Sequence, residues 1–264
     1  MSASNWADLG PRVISGLVLA GVGLVAIMFG GMMFSIFVAV CCGLMIWELG
    51  QITSRYGILA YPLAALAMVG IFFGYGKGLL FYILLIGILP GITALVATKE
   101  KWRVFGFAAM IGTTGLVLQL LRIDLGLAWL LWLVSIVVAT DIAGYFAGRL
   151  IGGPKFWPSL SPKKTWSGTV AGWIASGIVG ALFGAAFAGP FILFSIAVSV
   201  ASQMGDIAES ALKRKFEIKD SSNLIPGHGG FLDRFDGMIA AALVIGVVSL
   251  VLPDGLLLFK LGAE

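Results

Sequence analysis

Apolar residues in this chain come in long unbroken runs rather than in alternation. Short joins that carry glycine or clustered charge set the runs apart. Nine runs are visible, at about 12–30, 32–49, 57–75, 78–98, 104–122, 126–148, 168–188, 190–212 and 237–258. A helix crosses the hydrocarbon core of a bilayer with about 20 apolar residues, a length each run approaches. In lipid every backbone polar group must be satisfied within the protein. Unbroken runs do this as helices, whereas a closed barrel would show alternation. The pattern predicts an all-α polytopic integral membrane protein with about nine transmembrane helices. Its shortest joins lie near Gly30, Gly76 and Gly189. The run after Arg12 is too long for the apolar part of a cleaved signal and lacks a small-residue cleavage site, so it is read as a retained first span.

Composition agrees with the pattern. Of 264 residues 59% are hydrophobic and 11% charged, against roughly 25% charged in a soluble domain. Placing the N-terminus inside collects fourteen of the 17 basic residues on the inner side and leaves Lys77, Arg122 and Lys260 outside. The positive-inside rule then puts the N-terminus in the cytoplasm. Cys41 and Cys42 are adjacent within an apolar run and read as packing residues rather than a disulfide. Glycine pairs such as Gly144/Gly148, Gly168/Gly172 and Gly180/Gly184 let helices approach closely. Packing within one subunit is the simpler use of these faces, and a homodimer contact is the alternative.

Acids close to apolar spans are costly and usually functional. Asp141, counted from Gly126, and Asp206, counted from Phe191, both lie roughly 23 Å from the outer boundary at 1.5 Å per residue, close to the cytoplasmic headgroups. Asp233 and Asp236 stand just before the last apolar run, so the four carboxylates can meet at one depth. Pairing with nearby Lys or Arg would explain one such acid but not the set. "SPKKTWSG" (Ser161–Gly168) adds Lys163 and Lys164 on the same side. "GDIAESALKRK" (Gly205–Lys215) places Asp206, Glu209, Ser210 and Lys213 along one helical face. Carboxylates to hold a divalent metal, with cations to hold phosphate, suit polyanion chemistry at a membrane surface.

The densest polar stretch is "KDSSNLIPGHGGFLDRFDG" (Lys219–Gly237), which contains the single histidine. Gly227, Gly229 and Gly230 allow positive φ and close approach, and such a loop can aim backbone N–H groups at phosphate. It is not a P-loop, because G-x-x-x-x-G-K-[ST] occurs nowhere. "SALKRKFEIKDSSNLIPGHGGFLDRFDG" (Ser210–Gly237) strongly resembles the signature of the phosphatidate cytidylyltransferases, or CDP-diacylglycerol synthases. The resemblance extends through "GDIAES", "SPKKTW" and "DIAGYFAGRLIG" (Asp141–Gly152) and so covers the C-terminal half. One departure is Ser167, at a position where many members carry glutamate.

The resemblance implies transfer of CMP from CTP to phosphatidic acid with release of pyrophosphate. It implies Mg²⁺, with room for a second metal ion, held by Asp206 and Asp233 with Asp236 close by. Asp141 and Asp220 would be further or outer ligands. Lys163, Lys164, Lys213, Arg214, Lys219 and Arg234 would neutralise phosphates, Gly229 and Gly230 would shape the loop, and His228 would contact a phosphate oxygen or orient the loop. The expected organisation is an N-terminal membrane region of about five spans (1–125) and a C-terminal catalytic region (126–264) facing the cytoplasm. The setting would be a bacterial cell membrane, with the lipid bilayer and the two substrates as partners and no nucleic acid. Two other readings compete: a CTP-dependent lipid or polyprenol kinase, and an ion or solute transporter built on Asp141 and Asp206. A CDP-alcohol phosphatidyltransferase is excluded, because Ala241 replaces the arginine its motif needs.

Overall fold

The structure, a computed structural model, describes residues 9–184 and 188–251. In chain order its elements are α1 (Leu9–Phe29), α2 (Gly31–Thr53), a 3-10 turn (Gly57–Leu59) leading into α3 (Ala60–Gly74), and α4 (Leu79–Ile83). A π turn (Leu84–Ile88) carries α4 into α5 (Leu89–Val96), and α6 (Lys101–Gln119) ends in a second π turn (Leu120–Asp124). Then follow α7 (Leu127–Leu150), strands β1 (Lys155–Trp157) and β2 (Ser161–Thr165), α8 (Trp166–Phe183), α9 (Ala188–Lys215) and α10 (Leu232–Val251).

Seven of these helical stretches are long and apolar enough to cross a membrane, and two shorter apolar ones are Val13–Phe29 and Leu80–Val96. The fold is helical and polytopic in character, with no barrel among the described residues. The end of the last expected run, 252–258, and Lys260 lie outside the described residues, as do 185–187 at the join before α9.

Two corrections concern the polar segments. The stretch before α8 is not an irregular loop but an antiparallel hairpin, with Lys155 opposite Thr165 and Trp157 opposite Ser161. The all-α expectation therefore misses one small sheet. Its residues are too polar for the bilayer core, and outside that core backbone groups are free to pair across a turn. The last helix begins at Leu232 rather than at 237, which puts Asp233 and Asp236 inside its first turns. Asp233 suits the first turn, where negative charge meets the positive end of the helix dipole.

The chain divides into two compact units. One comprises Met1–Gln119 with Leu212–Phe235, the other Leu120–Ala211 with Asp236–Glu264. The segment Leu212–Phe235 thus belongs with the N-terminal helices, unlike in the division expected at residue 126.

In the first unit α2 supplies the central core, with Phe34, Met45, Ile46 and Leu49 almost fully buried alongside Ile71, Leu85 and Ile111. Gln119 ties α6 to two neighbours by donating to Ile71 O at 2.8 Å and accepting from Ser35 Oγ at 3.4 Å. Cys41 and Cys42 are buried free thiols, as read from sequence.

In the second unit the core is aromatic. Trp132 is fully buried, its ring 5.0 Å from Phe191 and 5.7 Å from Phe194, and its Nε1–H donates to Ser195 Oγ at 3.0 Å. Aromatic pairs of this kind are worth about 0.5–1.5 kcal/mol beyond area burial. Two turns further along α7 and one along α9, the hydroxyls of Thr140 and Ser199 lie 2.8 Å apart. These contacts set the register of α7 against α9. Against α8, α7 approaches backbone to backbone: a Cβ on Gly168 would lie 2.5 Å from Gly144 O. The glycine spacing read from sequence is thus used for packing inside one chain.

Candidate active site

A polar stripe on α9 continues the register of the second unit. After Ser195 and Ser199 comes Gln203, which accepts from Trp173 Nε1 at 3.0 Å and donates to Thr169 O at 3.2 Å, fastening α8 to α9. One turn later the stripe reaches Asp206 and then Glu209. Here α10 comes close, because Gly205 faces the Asp236 carbonyl and Gly237 faces Ser202 with no room for a side chain. The close approach brings Asp206, Glu209 and Asp236 together, with one ligand oxygen of each within 4.8 Å of the others. Glu209 is 1% exposed, whereas Asp206 and Asp236 are half-buried.

Asp206 belongs also to a cleft of ≈ 460 Å³, lined among others by Asp141, Tyr145, Arg149, Lys163, Lys164 and Gln203. This is a size usual for small-molecule sites. The hairpin delivers the two lysines. Neighbouring residues on a strand point to opposite faces, and Lys164 turns inward to Asp206 Oδ2 at 2.7 Å and Gln203 O at 3.0 Å while Lys163 is exposed. The hairpin is held to α8 by Thr165, whose Oγ1 accepts from Gly168 N at 3.3 Å as the N-cap. Ser167, the departure from the family signature noted above, donates to Gly152 O. It secures the chain on the far side of β1 and supplies no charge to the cleft.

The remaining expected site residues lie in the first unit. Asp233, its side chain 4% exposed, pairs through Oδ1 with Lys213 Nζ at 2.6 Å. Its Oδ2 accepts from Ser221 N at 2.9 Å, Ser221 Oγ at 2.9 Å and Gly230 N at 2.8 Å. The N–H of Gly230 therefore serves the loop's own closure, which departs from the anion nest expected there.

Gly227 and Gly229 do take positive φ, +75° and +84°, as the tight turn requires. His228 Nδ1 lies 2.8 Å from Ser15 Oγ, and His228 O accepts from Arg234 Nε at 3.0 Å. In this arrangement the histidine ties the loop to Ser15 of α1. Asp220, beside Gly229, is exposed, as are Arg214, Lys219 and Arg234.

Two acids were not assigned a site role from sequence. Glu209 shows its signal plainly, since it lies one turn from Asp206 on the same helical face. Glu48 is fully buried on α2 and accepts from Ser221, Ser222, Phe231 and Leu232. Its signal was a carboxylate inside an apolar run, costly unless it is paired.

The sequence pattern of the Cytidylyltransferase family matches residues 10–252. Proteins named phosphatidate cytidylyltransferase from Brucella suis biovar 1 (strain 1330) and Brucella melitensis biotype 1 are each 37% identical over 254 residues, covering 90% of this chain and 92% of theirs. A protein of the same name from Bacillus subtilis (strain 168) is 35% identical over 119 residues, 43% of this chain and 44% of its own.

Proposed function

This chain belongs to the cytidylyltransferase family, and on that premise we propose that it transfers CMP from CTP to phosphatidic acid, giving CDP-diacylglycerol and pyrophosphate. The observation that carries the reading is Asp206, shared between a three-carboxylate cluster and a cleft lined by Lys163, Lys164 and Arg149. Acids grouped for a cation, next to cations placed for an anion, are what a metal-bound triphosphate needs.

The donor set fits Mg²⁺. All three ligands are hard carboxylate oxygens, and three such groups within 4.8 Å repel one another unless positive charge stands among them. Asp206, Glu209 and Asp236 would hold the ion, which when bound neutralises charge on the triphosphate. A second ion and a part for Asp141 are compatible with the same cleft. Asp233 and Asp220 are expected to act outside this cluster.

The chain's own residues do the rest by placement. A phosphate monoester has its second pKa near 6, so the lipid phosphate is largely ionised at neutral pH and needs no strong general base. Its oxygen bonds to the α-phosphorus of CTP, the bond from that phosphorus to the bridging oxygen breaks, and pyrophosphate leaves with the electron pair. What opposes the step is anion meeting anion. Lys163, Lys164 and Arg149 lower that cost and orient the phosphates. Arg214, Lys219 and Arg234 are exposed cations of the first unit for the same class of ligand, while Lys213 is committed to Asp233.

The protein crosses a bacterial cell membrane nine times with its N-terminus in the cytoplasm. Phosphatidic acid comes from the inner leaflet and CTP from the cytoplasm. The test is purified protein in lipid–detergent micelles with Mg²⁺, phosphatidic acid and CTP labelled at the α-phosphate. Label enters the lipid phase, and a folded Asp206→Asn variant loses this. Lipid label from γ-labelled CTP with an alcohol acceptor, and none from α-labelled CTP, would replace the reading with a kinase.

A further inference from the structure

Glu48 takes no part in the chemistry just described, yet both of its carboxylate oxygens are engaged. It is fully buried on α2. Oε1 accepts from Ser222 Oγ at 2.6 Å and Phe231 N at 2.9 Å, and Oε2 accepts from Leu232 N at 2.7 Å and lies 3.1 Å from Ser221 Oγ, whose one proton is shared with Asp233 Oδ2. These donors fall into two groups. Ser221 and Ser222 open the loop that carries Pro226, His228 and the glycines, and Phe231 and Leu232 close it. One carboxylate therefore holds both ends of the loop together.

The second pair of donors matters for another reason. The first amides of a helix have no partner within it. Phe231 N and Leu232 N stand at the start of α10, whose first turn begins with Phe235 N donating to Phe231 O at 3.0 Å. Glu48 caps that turn from a different helix and places a negative charge at the positive end of the dipole. Asp233 supports the same closure from the loop's other side, where Ser221 Oγ is 2.9 Å from its Oδ2. A Cβ on Gly230 would collide with both Ser221 and Glu48, so the fit around the carboxylate leaves no space for a larger residue.

We propose that Glu48 is the positioning residue of the Ser221–Leu232 loop. From a buried site on α2 it closes the loop's base and fixes the first turn of α10, and thereby the placement of His228, Asp233 and Arg234. It touches no substrate. Its effect on turnover rests on the cytidylyltransferase reading, whereas the clamp itself does not.

The test uses the full-length protein in micelles and two variants, Glu48→Gln and Glu48→Asp. The glutamine keeps the shape but replaces one acceptor oxygen with a donor that faces backbone N–H or hydroxyl donors. Hydrogen exchange in Glu48→Gln is expected to rise at least tenfold in peptides covering 221–232 while peptides from α6 and α7 stay as in wild type. CMP transfer in the same preparation falls at least tenfold through kcat. Glu48→Asp, which keeps the charge, recovers part of both.

Unchanged exchange at 221–232 in Glu48→Gln overturns the clamp. A rise spread evenly over the whole chain overturns it too, because Glu48 would then serve the fold at large. Local loosening with full turnover removes the link to the reaction. Wild-type protein with no CMP transfer at all sinks the proposed function instead, and the exchange experiment still decides the clamp.

Discussion

Two groups of carboxylates in this protein look alike in sequence and differ in what surrounds them. In the first unit Glu48 and Asp233 face donors: two serines, the amides of Ser221, Gly230, Phe231 and Leu232, and Lys213. In the second unit Asp206, Glu209 and Asp236 face one another, with Lys164 on Asp206 and the Gly237 amide 2.7 Å from Asp236 Oδ1. Carboxylates surrounded by the protein's own donors hold a shape. Carboxylates gathered within 4.8 Å of one another are the set proposed above to hold a cation. On the proposed reading the difference separates a structural from a chemical use of the same side chain, and it divides Asp233 from Asp236, three residues apart on one helix.

The sharpest way to break this comparison is to neutralise one acid of each group. Asp236→Asn or Glu209→Gln is expected to cut CMP transfer by about 10²-fold or more and to raise the Mg²⁺ concentration needed for half-maximal rate, with helical content unchanged. If Asp233→Asn shows the same Mg²⁺ shift with an unaltered melting profile, the division between the groups is wrong.

The expected result for Asp233→Asn is different. Losing the charge leaves Lys213, its side chain 14% exposed, without its carboxylate. Breaking a buried pair costs about 3–5 kcal/mol, so thermal unfolding in detergent should move down clearly, with the Mg²⁺ dependence of the surviving activity as in wild type.

The smallest effect concerns a third acid that belongs to neither group. Glu217 stands two residues past the end of α9 with φ +60°, and Ile218 N bonds to Lys213 O at 3.1 Å in the wrapped turn that glycine usually terminates. Glu217→Gly should raise stability by about 0.5–1 kcal/mol with no change in turnover or metal requirement, read by the same melting measurement. A loss of Mg²⁺ affinity here would mean that the first unit's acids reach the metal after all.

Much of the site was legible because its residues sit close together in the chain. Asp206 and Glu209 are one helical turn apart, and Lys163 and Lys164 are adjacent. The start of α10 was misjudged because Asp233, Arg234 and Asp236 made a helical turn look like a loop. What makes it helical is a cap from Glu48, far away in the chain, which no local pattern announces. The hairpin escaped for a similar reason: three and five residues with a proline and three lysines carry little strand signal, and pairing across the turn supplies the order.

The sequence by itself determined the solvent and the chemistry. Long apolar runs require helices because lipid offers the backbone no partner. A stretch rich in acids, cations and glycine beside them implies polyanions handled at a membrane face. Only the tertiary structure decided which acids lie together and which face donors. A carboxylate's role depends on whether donors or other carboxylates lie within about 3 to 5 Å of it, and those neighbours come from helices far apart in the chain. That is why Glu48 and Asp233 both accept from donors of one loop, while Glu209 lies with Asp206 and Asp236.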